Sequence, residues 1–221
     1  MSDLDLCYLS ANEALKRFRE RSLSPLELMQ AVIDRAEQTE PHINAFADQY
    51  FEEALAAASK AQARYASRKP KPRALEGLPL VVKDDSAIKG KRFTMGSLIY
   101  KDRIATETDP HIERLQRAGA IVHARGNCSE FCAAWITHTR AHGTTRCPWN
   151  LDFTPGGSSG GSAASLAAAA LSRATRSTYA AAASPGRADS STLAGSTSNR
   201  NPAARNKAAR LGDADASKKR G

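Results

Sequence analysis

Apolar residues recur every three to four positions through the first third of the chain, which is the spacing of one face of an α-helix. The clearest case is the stripe of Leu28, Val32 and Ala36. Ser24 and Pro25 precede this stripe and predict a helix start, because a serine hydroxyl caps free N–H groups and proline fits the first helical position. The pattern therefore predicts an amphipathic helix with one side against a core.

Two further helices are predicted on either side of this one. Ser10 and Glu13 have the spacing of a capping box, in which both side chains satisfy N–H groups at a helix start. Residues 51–65 are rich in Ala, Glu and Lys, which favours a third helix. Pro41 is expected to end the middle helix. Together the three helices predict a layer that covers a sheet.

Short apolar runs typical of buried strands come next. Residues 78–82 and 120–122 predict two strands, and Pro110 opens a helix between them that Gly119 closes. A strand, a helix and a strand with short connections are the pattern of an α/β sheet. The predicted fold class is therefore α/β.

The chain carries a formal net charge of +9, and most of it lies at one end. Residues 171–221 hold ten Lys and Arg against three Asp and no Glu, so their net charge is +7 and that of residues 1–170 is +2. The tail has few large apolar residues and cannot bury enough surface to offset the entropy of ordering. We therefore predict one domain over residues 1–170 and a disordered basic tail over residues 171–221.

Composition also argues against several classes of function. The tail lacks aromatic residues interleaved with its charges, so we expect at most weak, salt-sensitive binding and no specific nucleic-acid partner. No apolar run reaches the roughly 20 residues that span a bilayer and no leader opens the chain, which indicates a soluble cytoplasmic protein without a membrane partner. The four cysteines form no CxxC pair, so we expect neither a disulfide scaffold nor a metal site.

A segment rich in glycine and serine is the sharpest chemical feature. Its glycines permit positive φ angles and close backbone approach, so it can direct hydroxyl and N–H groups into a pocket suited to an oxyanion. A helix predicted over residues 163–170 places the segment at a helix N-terminus. No Gly-Lys-Ser/Thr follows, which excludes a Walker phosphate loop, whereas a flexible linker is an alternative. The candidate active-site residues are Gly156, Gly157, Ser158, Ser159, Gly160 and Gly161.

Lys83 is the second candidate, because it ends the predicted strand over residues 78–82. Burial disfavours the charged form of lysine, so we expect desolvation to lower the pKa of Lys83 until the neutral amine can accept a proton from a serine. Asp84 and Asp85 follow and are expected to support the strand end or Lys83. The alternative is a surface lysine with a buried stem and a hydrated ammonium.

Six ordered motifs include both candidates. They are residues 75–84 (LEGLPLVVKD), 119–122 (GAIV), 129–131 (SEF), 143–145 (GTT), 148–150 (PWN) and 155–163 (PGGSSGGSA). With these motifs the chain resembles the amidase signature hydrolases from about Asp3 to Leu166. Trp149, within the fifth motif, and Trp135 are expected in the core or in a pocket wall.

The resemblance implies an α/β fold with a central mixed sheet and a Ser–Ser–Lys mechanism. Lys83 matches the family's general base, and Ser158 matches the serine that lies beside a cis peptide bond and relays the proton. A third serine attacks a small-molecule amide, forms an acyl-enzyme and releases ammonia or an amine, after which water hydrolyses the ester. The mechanism implied in this way uses neither a metal nor an organic cofactor.

The resemblance stops before the third serine. In the family this nucleophile lies some two dozen residues beyond the first serine, in a segment similar to Asp-Ile-Gly-Gly-Ser-Ile-Arg. The corresponding position here is near Ala182, no glycine pair precedes it, and Ser184 is only a nearby hydroxyl. We therefore expect a chain that is truncated or frame-disrupted after about residue 170 and is inactive as written.

Other interpretations differ in what they assign to the same residues. In the first interpretation the chain is a non-catalytic fragment or a gene-model artefact. In the second it is a weak nucleic-acid-binding protein that uses its basic tail. A third is the glutaminase component of a tRNA-dependent amidotransferase, which carries the same motifs. The opening helices and residues 132–135 look more like a stand-alone amidase.

Overall fold

The computed structural model describes residues 3–169 of the chain. The predicted disorder of residues 171–221 and the position of Ser184 lie outside these residues. Two 3-10 turns, Leu98–Tyr100 and Glu130–Cys132, lie among the α-helices and β-strands. In chain order those elements are α1 (Asp3–Cys7), α2 (Ala11–Glu20), α3 (Pro25–Ile43), β1 (Phe46–Gln49), α4 (Phe51–Ala66), β2 (Pro79–Lys83), α5 (Pro110–Arg117), β3 (Ile121–Gly126), β4 (His138–Thr139), β5 (Gly143–Thr144) and α6 (Gly160–Ala167).

The starts of α2 and α3 follow the predicted capping chemistry. The Ser24 hydroxyl accepts from the Glu27 N–H at 3.1 Å, and the Glu27 carboxylate accepts from the Ser24 N–H at 2.7 Å, which completes a capping box. At α2 Ser10 accepts from the Glu13 N–H, but the Glu13 carboxylate pairs with Arg17 at 2.8 Å. The cation one turn later therefore competes with the cap for the same carboxylate.

The predicted end of α3 at Pro41 is wrong, since the helix continues to Ile43. A proline so close to the C-terminus removes one hydrogen bond from the last turn only. The helix is ended instead by Asn44, whose left-handed backbone lets its N–H donate to the Glu40 carbonyl at 2.9 Å. The Glu40 carboxylate accepts from the next two N–H groups, which directs the chain into β1.

The sheet is mixed and has three strands. β2 and β3 form the parallel pair that the strand–helix–strand pattern predicts, with α5 between them along the chain. β1 pairs antiparallel with β3, so the strand order is β1-β3-β2. The sequence pattern does not predict β1, because the strand has only four residues and its burial does not alternate. The α/β fold class is confirmed.

The two faces of the sheet are covered by different helices. Leu80 and Val82 of β2 pack with Ile112 and Leu115 of α5. Val81 points to the opposite face, as strand geometry requires, and packs there with α6. Small side chains on that face allow α6 to lie close to the strands; they are Ala124, Ala164 and Ala168.

The predicted helical layer lies beside this sheet. Met29 and Ile33 of α3 pack with Ala54 and Ala58 of α4 and with Ile121 of β3. α1 and α2 add a second cluster against α3. The apolar residues of α3 are therefore buried on two sides. The helical layer packs against the sheet, and the candidate site lies at the ends of the strands of this sheet.

Candidate active site

Lys83 is the last residue of β2 and lies opposite Gly126, the last residue of β3. The chain turns at this point, because the Asp84 N–H donates to the Gly126 carbonyl and the Ser86 N–H donates to the Lys83 carbonyl, at 3.0 and 3.1 Å. A Cβ at Gly126 would lie 3.0 Å from the Ser162 hydroxyl oxygen of α6. The carboxyl ends of both parallel strands thus meet the start of α6, where ligand sites of α/β sheets commonly lie.

The glycine-rich segment is packed against the rest of the chain. A Cβ at Gly161 would lie 2.2 Å from the Asn127 nitrogen, and one at Gly160 would lie 2.3 Å from the Thr137 hydroxyl oxygen. A Cβ at Gly157 would lie 2.8 Å from a backbone carbonyl oxygen. Only glycine fits at such short distances, so the flexible-linker alternative is wrong.

α6 begins at Gly160, earlier than the predicted start at residue 163, so two glycines lie in its first turn. The Gly161 N–H donates to the Asn127 carbonyl, and the Gly160 N–H donates to the Thr137 hydroxyl oxygen, both at 3.0 Å. These bonds satisfy N–H groups that a helix start leaves without intrahelical partners. Tertiary contacts of the glycines therefore set the start of the helix. The alanine-rich composition of residues 163–170, which predicted the helix, contains no information about these contacts.

Ser158 lies just before this helix, and its hydroxyl reaches Lys83. The Gly157–Ser158 peptide bond is cis, the geometry that the family resemblance implies for this serine. The Ser158 carbonyl accepts from the Ser129 N–H at 3.2 Å. Lys83 Nζ donates to Ser158 Oγ at 2.9 Å, although 75 positions separate the two residues. The structure therefore brings the two principal candidates together.

The remaining candidates form the frame around Ser158. Gly156 has a φ of +90°, and its carbonyl accepts from the Thr137 hydroxyl at 3.0 Å. Because the same hydroxyl oxygen accepts from the Gly160 N–H, one threonine ties both ends of the loop. Ser159 is exposed at the N-cap of α6. Thr137 thus anchors the loop at Gly156 and at Gly160, and Ser158 and Ser159 lie between these two points.

The predicted direction of the Lys83 pKa is wrong. Its side chain is only 13% exposed, and this desolvation disfavours the ammonium, but Asp85 Oδ2 lies 2.9 Å from Lys83 Nζ. The hydrogen bond and charge of Asp85, together with Cys132, outweigh the desolvation and raise the pKa of Lys83 above its ordinary value. The direction of the Lys83 pKa is therefore opposite to the predicted one, and Lys83 Nζ donates to Ser158 Oγ.

Asp84 supports the strand end from the buried side, as the sequence predicts for the acidic pair. Its carboxylate accepts from the N–H groups of Thr94 and Gly96, at 3.2 and 3.1 Å, and from the Thr94 hydroxyl. His142 Nε2 and Arg125 Nε each lie 3.6 Å from it. Burial would raise the pKa of Asp84, but the nearby His142 ring and the hydrogen bonds of Thr94 and Gly96 outweigh it and lower the pKa.

Sequence reasoning missed Cys132, Thr137 and His142 as neighbours of the site. Cys132 Sγ donates to Asp85 Oδ2 at 3.3 Å, and His142 Nε2 lies 2.8 Å from the Thr94 hydroxyl oxygen. These residues come from a stretch with few regular elements, so no periodicity marks them. Only the conformation of the turns in this stretch brings them to the strand ends.

Large apolar side chains near the loop are exposed. Trp135 is 88% exposed and Trp149 is 83% exposed, so neither lies in the core, and a pocket wall is the alternative that stays a prediction. Trp135 belongs to the backbone stretch that Gly157 contacts. Further exposed apolar residues between positions 131 and 153 are Phe131, Ile136, Leu151 and Phe153.

Among residues 3–169 no group of three or more His, Cys, Asp or Glu side chains could hold a metal ion. No helix within the same residues is long and apolar enough to cross a bilayer. A cavity of about 280 Å³ beside α4 and β3 is lined by residues such as Lys60 and Arg73, and the Lys83–Ser158 pair is not part of its lining.

The fold and the lysine–serine pair define a mixed α/β protein with a site at its strand ends. The Amidase family model matches residues 27–175. The chain therefore belongs to the amidase family, which confirms the resemblance to the amidase signature hydrolases. A curated relative, a glutamyl-tRNA(Gln) amidotransferase subunit of Lachnoclostridium phytofermentans, is 38% identical over 165 residues, which are 75% of this chain and 33% of the relative.

Solved structures give the same family. A bacterial aryl acylamidase of the amidase signature family has a TM-score of 0.67 at 29% identity, over 71% of this chain and 33% of that protein. A fatty acid amide hydrolase has a TM-score of 0.74 at 22% identity, over 77% of this chain and 30% of that protein, and supports the fold alone. The chain thus spans about a third of the length of these relatives.

Proposed function

We propose that this chain carries the lysine and the relay serine of an amidase that hydrolyses carbon–nitrogen bonds through a Ser–Ser–Lys acyl-enzyme. The observation that carries the proposal is the 2.9 Å hydrogen bond between Lys83 Nζ and Ser158 Oγ. Membership of the amidase family supports it. In this proposal residues 1–170 are the amidase portion, the loop over residues 156–161 lines the active site, and the substrate is a small-molecule amide.

The pair is suited to moving a proton in two short steps. When Lys83 is neutral, its nitrogen accepts the Ser158 hydroxyl proton while Ser158 Oγ accepts the proton of a second serine, which attacks the amide carbon. The same pair returns the proton to the leaving nitrogen as the carbon–nitrogen bond breaks, which gives an ester and ammonia or an amine. Water then attacks the ester, the pair relays its proton to the serine oxygen, and a carboxylic acid is released.

In this proposal the chain lacks the second serine, which is the nucleophile. The family's nucleophile would fall near Ala182, outside the described residues, and residues 171–221 contain no Gly-Gly-Ser. Loss of a nucleophile typically costs several orders of magnitude in rate. We therefore propose that the 221-residue chain does not hydrolyse amides by itself.

The direct test uses the purified chain with a panel of aryl amides and with glutamine. Amine or ammonia release is measured, and a fluorophosphonate serine probe followed by peptide mass spectrometry finds any reactive serine. We expect no release and no labelled serine. Release that disappears in Lys83→Ala but persists in a Lys89→Ala control would overturn the proposed inactivity and keep the mechanism. Release that persists in both variants would overturn the mechanism as well.

We also propose that residues beyond about 170 come from a disrupted reading frame. Their Ala, Arg and Ser bias is typical of a GC-rich coding region read out of frame. The test is the transcript sequence across codons 160–190, translated in all frames. A Gly-Gly-Ser-Ile-Arg segment in another frame supports the proposal, and its absence from every frame contradicts it. A chain with that frame restored should be labelled at the new serine and should lose activity in Lys83→Ala.

A second candidate function is that of a glutamyl-tRNA(Gln) amidotransferase component, because the relative at 38% identity bears that name. This candidate predicts that the frame-restored chain releases ammonia from glutamine in preference to cleaving aryl amides, whereas a stand-alone amidase shows the opposite preference. In both cases we propose a cytoplasmic protein whose chemistry needs no metal or organic cofactor. Neither candidate requires the basic tail to bind nucleic acid specifically.

A further inference from the structure

Two acceptors share the ammonium of Lys83. Ser158 Oγ and Asp85 Oδ2 each lie 2.9 Å from Lys83 Nζ. The side chains of Lys83 and Asp85 are only 13% and 28% exposed, so solvent screens their attraction less than that of a surface pair. The ammonium is therefore held between a carboxylate on one side and the loop serine on the other.

The turn after β2 directs the adjacent carboxylates of Asp84 and Asp85 towards different partners. The Ser86 N–H donates to the Lys83 carbonyl at 3.1 Å, which closes a turn over residues 83–86. Asp84 points into the buried network of Thr94, whereas Asp85 points back towards the lysine. Asp85 therefore lies beside Lys83 because of the turn and not because of strand periodicity.

The Asp85 carboxylate is itself held from two further directions. The Ser86 hydroxyl donates to Oδ1 at 3.1 Å, and Cys132 Sγ donates to Oδ2 at 3.3 Å. Because Ser86 and Cys132 already fix the Asp85 carboxylate, little further ordering is needed for this carboxylate to bind Lys83. The hydrogen bond between Asp85 and Lys83 therefore keeps a single geometry. The charged and titratable groups around Lys83 are Asp85, Cys132, the buried Cys128, Asp84 and Arg125, whose guanidinium donates to the Lys83 carbonyl at 3.3 Å.

We propose that Asp85 is the positioning residue that keeps Lys83 charged and directed at Ser158, and that it thereby sets the pH at which Lys83 becomes a proton acceptor. This inference rests on the proposed function for its role in a reaction, since only neutral Lys83 can take a proton through Ser158. The direction of the Lys83 pKa, which is raised by Asp85 against the effect of burial, agrees with the geometry. Lys83 is then neutral, and able to accept a proton, only at alkaline pH unless Asp85 is neutralised or displaced.

The test measures the titration of Lys83 directly and needs no hydrolysis. The 221-residue chain is labelled with carbon-13 at the lysine ε positions, the Lys83 signal is assigned by its loss in Lys83→Arg, and its midpoint is followed by NMR. Asp85→Asn removes the charge and keeps the shape. We expect its Lys83 midpoint to fall by about one pH unit, a tenfold loss of proton affinity. Asp48→Asn, which removes a carboxylate paired with Arg92, should leave the midpoint unchanged.

Ser158→Ala keeps the test decisive where Asp85→Asn does not fold. With Asp85 intact, Lys83 should still titrate above the average of the other lysines. A Lys83 midpoint that is unchanged in Asp85→Asn, or that falls to the ordinary lysine value in Ser158→Ala, would overturn the inference. Since the readout is a titration, an amidase assay without activity leaves the inference standing, and an unchanged midpoint leaves the proposed amidase function standing.

Discussion

Gly161 of α6 lies directly against the backbone of Asn127, just beyond the end of β3. The Gly161 N–H donates to the Asn127 carbonyl at 3.0 Å, and a Cβ on Gly161 would lie 2.2 Å from the Asn127 nitrogen. This contact fixes the first turn of α6 over the strand ends. Because only Ser159 separates Ser158 from that turn, the hydrogen bond between Ser158 and Lys83 depends on a position that accepts no side chain.

A methyl group at Gly161 should therefore disturb the fold more than one at an open glycine. We expect Gly161→Ala to lower the free energy of unfolding by about 1–3 kcal/mol or more, because backbone atoms on two sides must move. Gly90→Ala is the control: Gly90 has a φ of +78° but no atom within 4 Å of its Cβ position, so only backbone strain of about 1 kcal/mol applies. Urea unfolding measures both, and equal losses would contradict the packing at Gly161.

Glu76 predicts a second difference in stability. Its buried carboxylate accepts from Arg73 at 2.6 and 2.8 Å and lies 3.4 Å from Arg64. Glu76→Gln leaves these donors without a charged acceptor, so we expect a loss of about 1–3 kcal/mol in unfolding free energy at pH 7. The control Glu113→Gln breaks an exposed pair with Arg117 and should cost less than about 0.5 kcal/mol.

The same carboxylate predicts how stability depends on acid pH. Burial would raise the pKa of Glu76, but the hydrogen bonds of Arg73 and the charges of Arg73 and Arg64 outweigh it and lower the pKa. A group with a lowered folded pKa stabilises the fold above its unfolded pKa of about 4.3, and this stabilisation is lost as pH falls through the folded pKa. We expect the gap between wild type and Glu76→Gln to shrink below pH 4. A constant gap from pH 7 to pH 3 would contradict this prediction.

Tyr65 predicts a loss of stability in alkali. Its hydroxyl donates to the Glu76 carbonyl at 3.1 Å, and burial raises the pKa of Tyr65 to about 12. Between pH 10 and pH 12 the unfolded chain ionises this tyrosine while the folded chain keeps its proton, so the free energy of unfolding should fall by on the order of 2 kcal/mol. Tyr65→Phe should lose this part of the pH dependence, whereas Tyr8→Phe should keep it.

The two tryptophans provide a spectroscopic check of the surface beside the loop. Trp135 and Trp149 are the two tryptophans of the chain, and both are more than four-fifths exposed. We expect the emission wavelength of hydrated indole, strong quenching by acrylamide and little shift on unfolding in urea. Blue-shifted emission that returns to the hydrated value on dilution would show that copies of the chain cover these rings, and blue-shifted emission at every concentration would contradict the described surface.

Local chemistry was enough to predict most helices and the parallel strand pair. The hydroxyl of Ser24, the ring of Pro25 and the stripe that follows act within one or two turns, so the sequence marks them. The prediction failed at Pro41, because the cap at Asn44 and the Glu40 carboxylate end α3 two residues later. It also failed at the start of α6, because a contact with the distant Thr137 holds the first turn of that helix. Strand β1 was missed for the same reason, since its partner β3 lies more than 70 positions away.

The candidate site divides in the same way. The sequence by itself determined the candidate residues, because Lys83 ends an apolar strand, Ser158 lies in a glycine-rich segment, and both belong to ordered motifs of one family. Only the tertiary structure decided that Lys83 Nζ meets Ser158 Oγ, and that Asp85 and Cys132 outweigh desolvation so that the pKa of Lys83 is raised. A charge state is the sum of burial and of neighbours from several segments. Periodicity reports burial alone, and the turn after β2 determines which carboxylate the lysine meets.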